Sequence, residues 1–198
     1  MKIPAVLGIY GESNAGKTRF IVKLIGRLNE EGFKVASIKI TDKHIGIDTK
    51  GKDTWKHGKA GSKLVVLSSP TETDFLIKQN KKMSEIFENI GYLGNYDIII
   101  VEGASDENIP KIKIGKILER ENTILSYDGD FDNIIKTIKN EINKAGENMG
   151  KKVNIKVNGK QIALDEFPSE FIKKTIIGML KSLKGVSEIK NVEIYFEI

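Results

Sequence analysis

The chain has 198 residues, 39% apolar and 30% charged, enough for one well-buried core and incompatible with an intrinsically disordered segment. Its net charge of +5, carried by scattered lysines, favours anionic ligands but does not form the basic arm of a nucleic-acid binder. The absence of cysteine excludes disulfides, thiolate metal sites and cysteine nucleophiles together, and fits a cytoplasmic protein.

Residues 4–10 form a short apolar run that reads as a buried parallel strand, too short to span a membrane and without a signal-peptide cleavage pattern. A glycine-rich turn follows. Phe20, Ile21, Leu24, Ile25 and Leu28 then recur at helical spacing, with Gly32 at the expected C-cap. Residues 33–40 are again strand-like. This strand, loop, helix, strand order is a βαβ unit, which requires a right-handed crossover and a parallel sheet. Residues 41–54 are polar, charged and glycine-containing, and long loops of that kind are often functional. Short strands are expected over 64–67 and 74–77, and a helix over 83–90 with Met83, Ile86, Phe87 and Ile90 on one face. Residues 96–101 carry the strongest strand signal, and their unbroken apolar run implies cover on both faces. Weaker strands over 112–114 and 123–125 precede a helix over 131–144, whose apolar face is Ile134, Ile135, Ile138 and Ile142.

Residues 146–152 contain two glycines and read as a linker. Beyond it, strands over 153–157 and 161–164 flank the hairpin signal Asn158-Gly159. Pro168 opens a helix at its first position, with Phe171, Ile172, Thr175, Ile176, Met179, Leu180 and Leu183 spaced as a buried stripe, and residues 192–198 alternate as a last strand. The expected class is α/β. A mostly parallel sheet flanked by helices occupies residues 1–148, and a small ββαβ unit occupies 149–198, short enough to need docking or dimerisation for stability.

The turn Gly11-Glu12-Ser13-Asn14-Ala15-Gly16-Lys17-Thr18 matches the P-loop spacing in full, between a strand and a helix as that motif requires. Gly11 and Gly16 let the backbone curl, so that the N–H groups of Ser13, Asn14 and Ala15 turn inward onto phosphates. The helix N-terminus adds donors and a positive dipole end. Lys17 supplies a mobile charge for the β- and γ-phosphates, and Thr18 a hydroxyl for Mg²⁺. A P-loop NTPase that binds a nucleoside triphosphate is therefore expected.

The metal needs a carboxylate at the end of a neighbouring strand. Asp97 opens the apolar strand and Glu102 closes it; ligands sit beyond the C-terminal strand ends, which selects Glu102. The loop carrying Asp42, Asp48 and Asp53 leaves the second strand at the same side, and Asp48 and Asp53, with Lys50 and Lys52 between them, are further candidates for Mg²⁺ and phosphate contacts. His44 and His57 are not at metal-ligand spacing, and Trp55 reads as a core or interface residue.

Together with this loop, the segments Ile47-Asp48-Thr49-Lys50-Gly51-Lys52-Asp53-Thr54-Trp55, Lys59-Ala60-Gly61 and Asp97-Ile98-Ile99-Ile100-Val101-Glu102-Gly103 resemble the molybdopterin-guanine dinucleotide biosynthesis protein B family (MobB). The resemblance covers about residues 1–144 and leaves the ββαβ tail aside. It implies a homodimer that binds GTP and Mg²⁺, with weak GTPase activity at most. It also implies a role beside MobA, the guanylyltransferase that attaches GMP to molybdopterin, or beside a molybdoenzyme. By motif match, Gly11, Asn14, Gly16, Lys17 and Thr18 contact phosphates and magnesium, and Asp48 and Glu102 organise the metal. Guanine preference rests on the resemblance alone, since no Asn-Lys-x-Asp motif is present; Asp128, in the turn Asp128-Gly129-Asp130, lies in a base-contacting region. The competing reading is a small P-loop kinase acting on a metabolite. Such an enzyme needs lid arginines, and the chain has only Arg19, Arg27 and Arg120.

Overall fold

The computed structural model describes residues 4–43, 45–149, 153, 155–157, 160–162, 164, 166–185, 189, 192 and 194. His44, the hairpin turn at 158–159 and most of the strand expected over 192–198 lie outside the described residues. In chain order the elements are β1 (Ala5–Gly11), α1 (Lys17–Glu30), β2 (Val35–Lys39), α2 (Asp53–Lys59), β3 (Leu64–Ser68), β4 (Thr73–Ile77), α3 (Met83–Leu93), β5 (Ile98–Glu102), β6 (Lys111–Ile114), β7 (Thr123–Tyr127), α4 (Phe131–Met149), β8 (Ile155–Val157), β9 (Lys160–Ile162) and α5 (Glu166–Lys181). Residues 1–39 and 94–198 cluster as one compact unit, and residues 40–93 as another.

The first unit is built on a five-stranded parallel sheet in the order β2-β5-β1-β6-β7. The chain adds β2 and β5 on one side of β1, then β6 and β7 on the other. That reversal opens a crevice beyond the C-terminal ends of the central strands, where α/β sheets bind ligands. Leu7, Ile9, Ile98, Ile100, Ile112 and Ile114 bury one face of the sheet against Leu24 and Leu28 of α1 and Ile134 and Ile138 of α4. Helix α1 stops in a Schellman motif: Gly32 N–H donates to Asn29 and Phe33 N–H to Leu28, with Gly32 at a φ of 85°.

The opposite face around β1 is covered by loops. Residues 103–110 join β5 to β6 across β1 without a helix, and they pass over it at Gly8. A Cβ on Gly8 would stand 2.6 Å from that of Ala104. The fully buried Lys111 runs its stem along Gly8 and donates from Nζ to the carbonyls of Ile109 (2.8 Å) and Glu121 (2.9 Å), tying two loops together. Beside it, the buried Tyr10 hydroxyl accepts from Arg120 N–H (3.0 Å) and lies 2.7 Å from Thr123 Oγ1, while the Arg120 guanidinium stacks 4.8 Å from the ring centroid.

In the second unit β3 and β4 pair antiparallel as a separate two-stranded sheet. Helix α2 was not expected, because Asp53–Lys59 carries a single large apolar residue, Trp55, and so shows no periodicity. Its ends suit the helix dipole, with Asp53 in the first turn and Lys56, His57 and Lys59 in the last. Asp48 accepts from Thr54 Oγ1 (2.8 Å) and Lys78 Nζ (2.6 Å).

Helix α4 runs to Met149, into the segment expected as a linker. Its Gly146 has open space around it, and one glycine in an exposed helix costs only about 1 kcal/mol, too little to stop it. In the tail, β8 and β9 pair antiparallel, and α5 runs from two residues before Pro168 to Lys181, with Phe171 and Met179 of its expected buried stripe exposed instead. Ser169 Oγ accepts from Val153 N–H at 3.1 Å.

Candidate nucleotide and metal site

Strand β1 delivers the loop of residues 11–18 to the C-terminal edge of the sheet, and α1 begins at Lys17. Gly11 cannot be replaced without a shift, since a Cβ there would run into the backbone carbonyl of Ile114. The curl of the loop is left-handed at Asn14 (φ 64°) and Gly16 (φ 82°), residue types that tolerate this region. Gly16 is also the N-cap of α1, so the helix starts directly beneath the loop with its first N–H groups unspent by the helix.

Lys17 Nζ bonds the carbonyls of Gly11 (3.0 Å) and Glu12 (2.5 Å), which holds its ammonium over the loop. Thr18 Oγ1 donates to Glu102 Oε1 at 3.4 Å, so the first turn of α1 and the end of β5 meet. The same carboxylate oxygen receives Lys39 Nζ at 3.3 Å. Lys39 ends β2 and is the register partner of Glu102. A cavity of about 410 Å³ is lined by Ser13, Asn14, Gly16, Lys17 and Thr18 of the loop, Arg19 of α1, Lys39 and Glu102. Three cations facing one carboxylate make it an anion site.

The expected residues Ser13, Asn14, Gly16, Lys17, Thr18 and Glu102 are thus brought together, with Gly11 and Ala15 shaping the loop. Asp97 lies at the far end of β5, where Oδ2 accepts from Lys34 N–H at 2.7 Å. Asp128 does not line the cavity; it accepts from Asp130 N–H at 3.0 Å and shapes the turn before α4. Asp48 belongs to the second unit, where the Lys78 ammonium, and after it the Thr54 hydroxyl, hold its carboxyl below the ordinary value. Lys39 and Arg19 were missed. The signal for Lys39 was available, since a cation closes the strand-like run 33–40 at the ligand side just as Glu102 closes the other strand.

Thr18 and Glu102 offer one hydroxyl and one carboxylate to a metal. Among the described residues no group of three or more His, Cys, Asp or Glu converges. That sparse all-oxygen set suits Mg²⁺, which keeps several waters and takes its other ligands from phosphates. Among the described residues no helix is long and apolar enough to cross a membrane.

The sequence profile of molybdopterin guanine dinucleotide synthesis protein B matches residues 6–140. The chain belongs to this family. A relative from Haemophilus influenzae, a molybdopterin-guanine dinucleotide biosynthesis adapter protein, is 34% identical over 54% of this chain and 61% of its own length. A Methanocaldococcus jannaschii protein, provisionally named for the same adapter role, is 27% identical and aligns with 98% of this chain and 97% of itself, so the tail is included. Two solved MobB structures share the fold. Bacillus subtilis MobB superposes with a TM-score of 0.55 at 17% identity, covering 69% of this chain and 97% of that one. A second superposes with a TM-score of 0.51 at 27% identity, covering 70% and 99%.

Proposed function

We propose that this MobB protein acts in molybdenum cofactor biosynthesis as an adapter that binds GTP with Mg²⁺ and turns it over slowly at most. The observation that carries the reading is the meeting of Thr18 and Glu102, 3.4 Å apart, beside the Lys17 ammonium. Lys17 and the loop N–H groups bind the phosphates, and Thr18 and Glu102 hold the metal, which would neutralise phosphate charge when bound. Slow turnover accords with the scarcity of arginine: Arg19 is the one arginine lining the cavity, and Arg120 is engaged with Tyr10 and the Ala104 carbonyl. The guanine preference, with Asp128 as a base contact, and the metal role of Asp48 come from the family resemblance.

The adapter role calls for partners, and we propose a MobA-like guanylyltransferase or a molybdoenzyme in the cytoplasm. We also propose a homodimer. One face of the two-stranded sheet of the second unit exposes Leu64, Val66, Phe75 and Ile77, an apolar surface suited to a second copy.

Calorimetric titration of GTP and ATP with Mg²⁺, beside a turnover assay, tests the reading. GTP is expected to bind with slow hydrolysis, and Lys17→Ala to lose at least about a hundredfold in affinity, as expected when a full charge on the phosphates is removed. Retained affinity in Lys17→Ala would refute the site. Tight ATP binding with rapid phosphoryl transfer to a small acceptor would favour the kinase.

A further inference from the structure

We propose that Lys39 is a phosphate-binding residue held in reserve by Glu102 and released when a divalent cation takes that carboxylate. The proposal rests on the P-loop reading and adds to it a residue outside the motif. Glu102 Oε1 is shared between Thr18 Oγ1 (3.4 Å) and Lys39 Nζ (3.3 Å). A metal ion on this oxygen repels an ammonium on the same oxygen, which favours release of the more mobile partner. The two partners differ in freedom. Glu102 is 16% exposed and fixed at the end of a central strand, whereas the Lys39 side chain is 60% exposed on a flexible stem. The root of Lys39 is fixed by its register with Glu102, so a released ammonium stays at the rim of the cavity that Lys17 and Thr18 also line. There it meets the charge of a triphosphate.

Two roles for Lys39 predict opposite metal dependence. If it only screens Glu102, its removal weakens nucleotide binding in EDTA, where the bare carboxylate repels phosphate, and matters little with Mg²⁺. If it binds phosphate once released, its removal matters most with Mg²⁺.

The test titrates a non-hydrolysable GTP analogue onto the full chain and onto Lys39→Met, Lys39→Arg and Lys17→Ala, each in Mg²⁺ and in EDTA, with thermal melts as a control for folding. Lys39→Met is expected to lose roughly tenfold in affinity in Mg²⁺, as for a lost charge-assisted hydrogen bond, and clearly less in EDTA. Lys39→Arg, which keeps the charge, is expected to restore most of the loss. An equal or larger loss in EDTA, or no loss in either condition, overturns the proposal. Loss of binding in Lys17→Ala beside an unaffected Lys39→Met sinks only this proposal, whereas undiminished binding in Lys17→Ala sinks the P-loop reading itself.

Discussion

Ala104 fills the space that a side chain on Gly8 would need, its Cβ 2.6 Å from where a Cβ on that glycine would stand. The loop from β5 to β6 can therefore cross β1 in contact with its backbone, and Lys111 can lay its stem alongside. The crossing is short and contains no helix of its own.

Gly8→Ala is expected to destabilise the protein by about 1–3 kcal/mol through overpacking, read by denaturant unfolding. Adding Ala104→Gly to the same chain should recover part of the loss. Strict additivity of the two changes would show that the contact does not couple them.

Tyr10→Phe keeps the ring under Arg120 and removes the hydroxyl that accepts from Arg120 N–H and meets Thr123 Oγ1. Because the group is buried, a cost of about 1–2 kcal/mol is expected. Wild-type stability in this variant would mean that the network contributes nothing.

Asp48 makes stability depend on acid. Its pKa is lowered in the folded protein, by Lys78 first and then Thr54, so protons bind the unfolded chain more readily. The stabilisation is complete above the ordinary carboxylate value of 3.8 and drains as pH falls from there through the lower folded value. Asp48→Asn should melt a few degrees below wild type at neutral pH, with the gap closing in acid. A gap independent of pH would remove the ion pair from the account.

Glu102→Gln keeps an oxygen for the Thr18 hydroxyl and removes the charge. Triphosphate affinity in Mg²⁺ should fall roughly tenfold, a difference of about 1.4 kcal/mol, while affinity in EDTA should not weaken because a repelling charge has gone. Equal weakening in both conditions would count against a metal at this carboxylate.

The P-loop strand, its helix and the strand ending at Glu102 were legible because each carries its own period and the loop its own spacing. The choice of Glu102 over Asp97 needed only the direction of a parallel strand. Helix α2 was not legible, since a helix with one large apolar residue has no periodic signature. The continuation of α4 past Gly146 was hidden by a residue that only weakens helices. Lys39 was overlooked because an exposed lysine at a strand end looks like any other until the neighbouring strand and its carboxylate are set beside it. The crossing at Gly8 depends on a loop that covers the sheet without any pattern of its own.

The placement of β1 also bears on how the protein emerges from the ribosome. This strand is made before the other strands of its sheet and lies at the sheet's centre, yet its hydrogen-bonding partners are Ile98 to Glu102 and Lys111 to Ile114. Both of its edges stay open until the whole of the 40–93 unit has been synthesised, although that unit's own β3–β4 pairing is local. Long-range parallel pairing is slow and exposes unpaired strand edges meanwhile. The phosphate loop at the end of β1 therefore takes shape late, once Ile114 arrives to pack against Gly11. Translation arrested before β6 would leave the loop without the Ile114 backbone that Gly11 packs against, and so no complete nucleotide site.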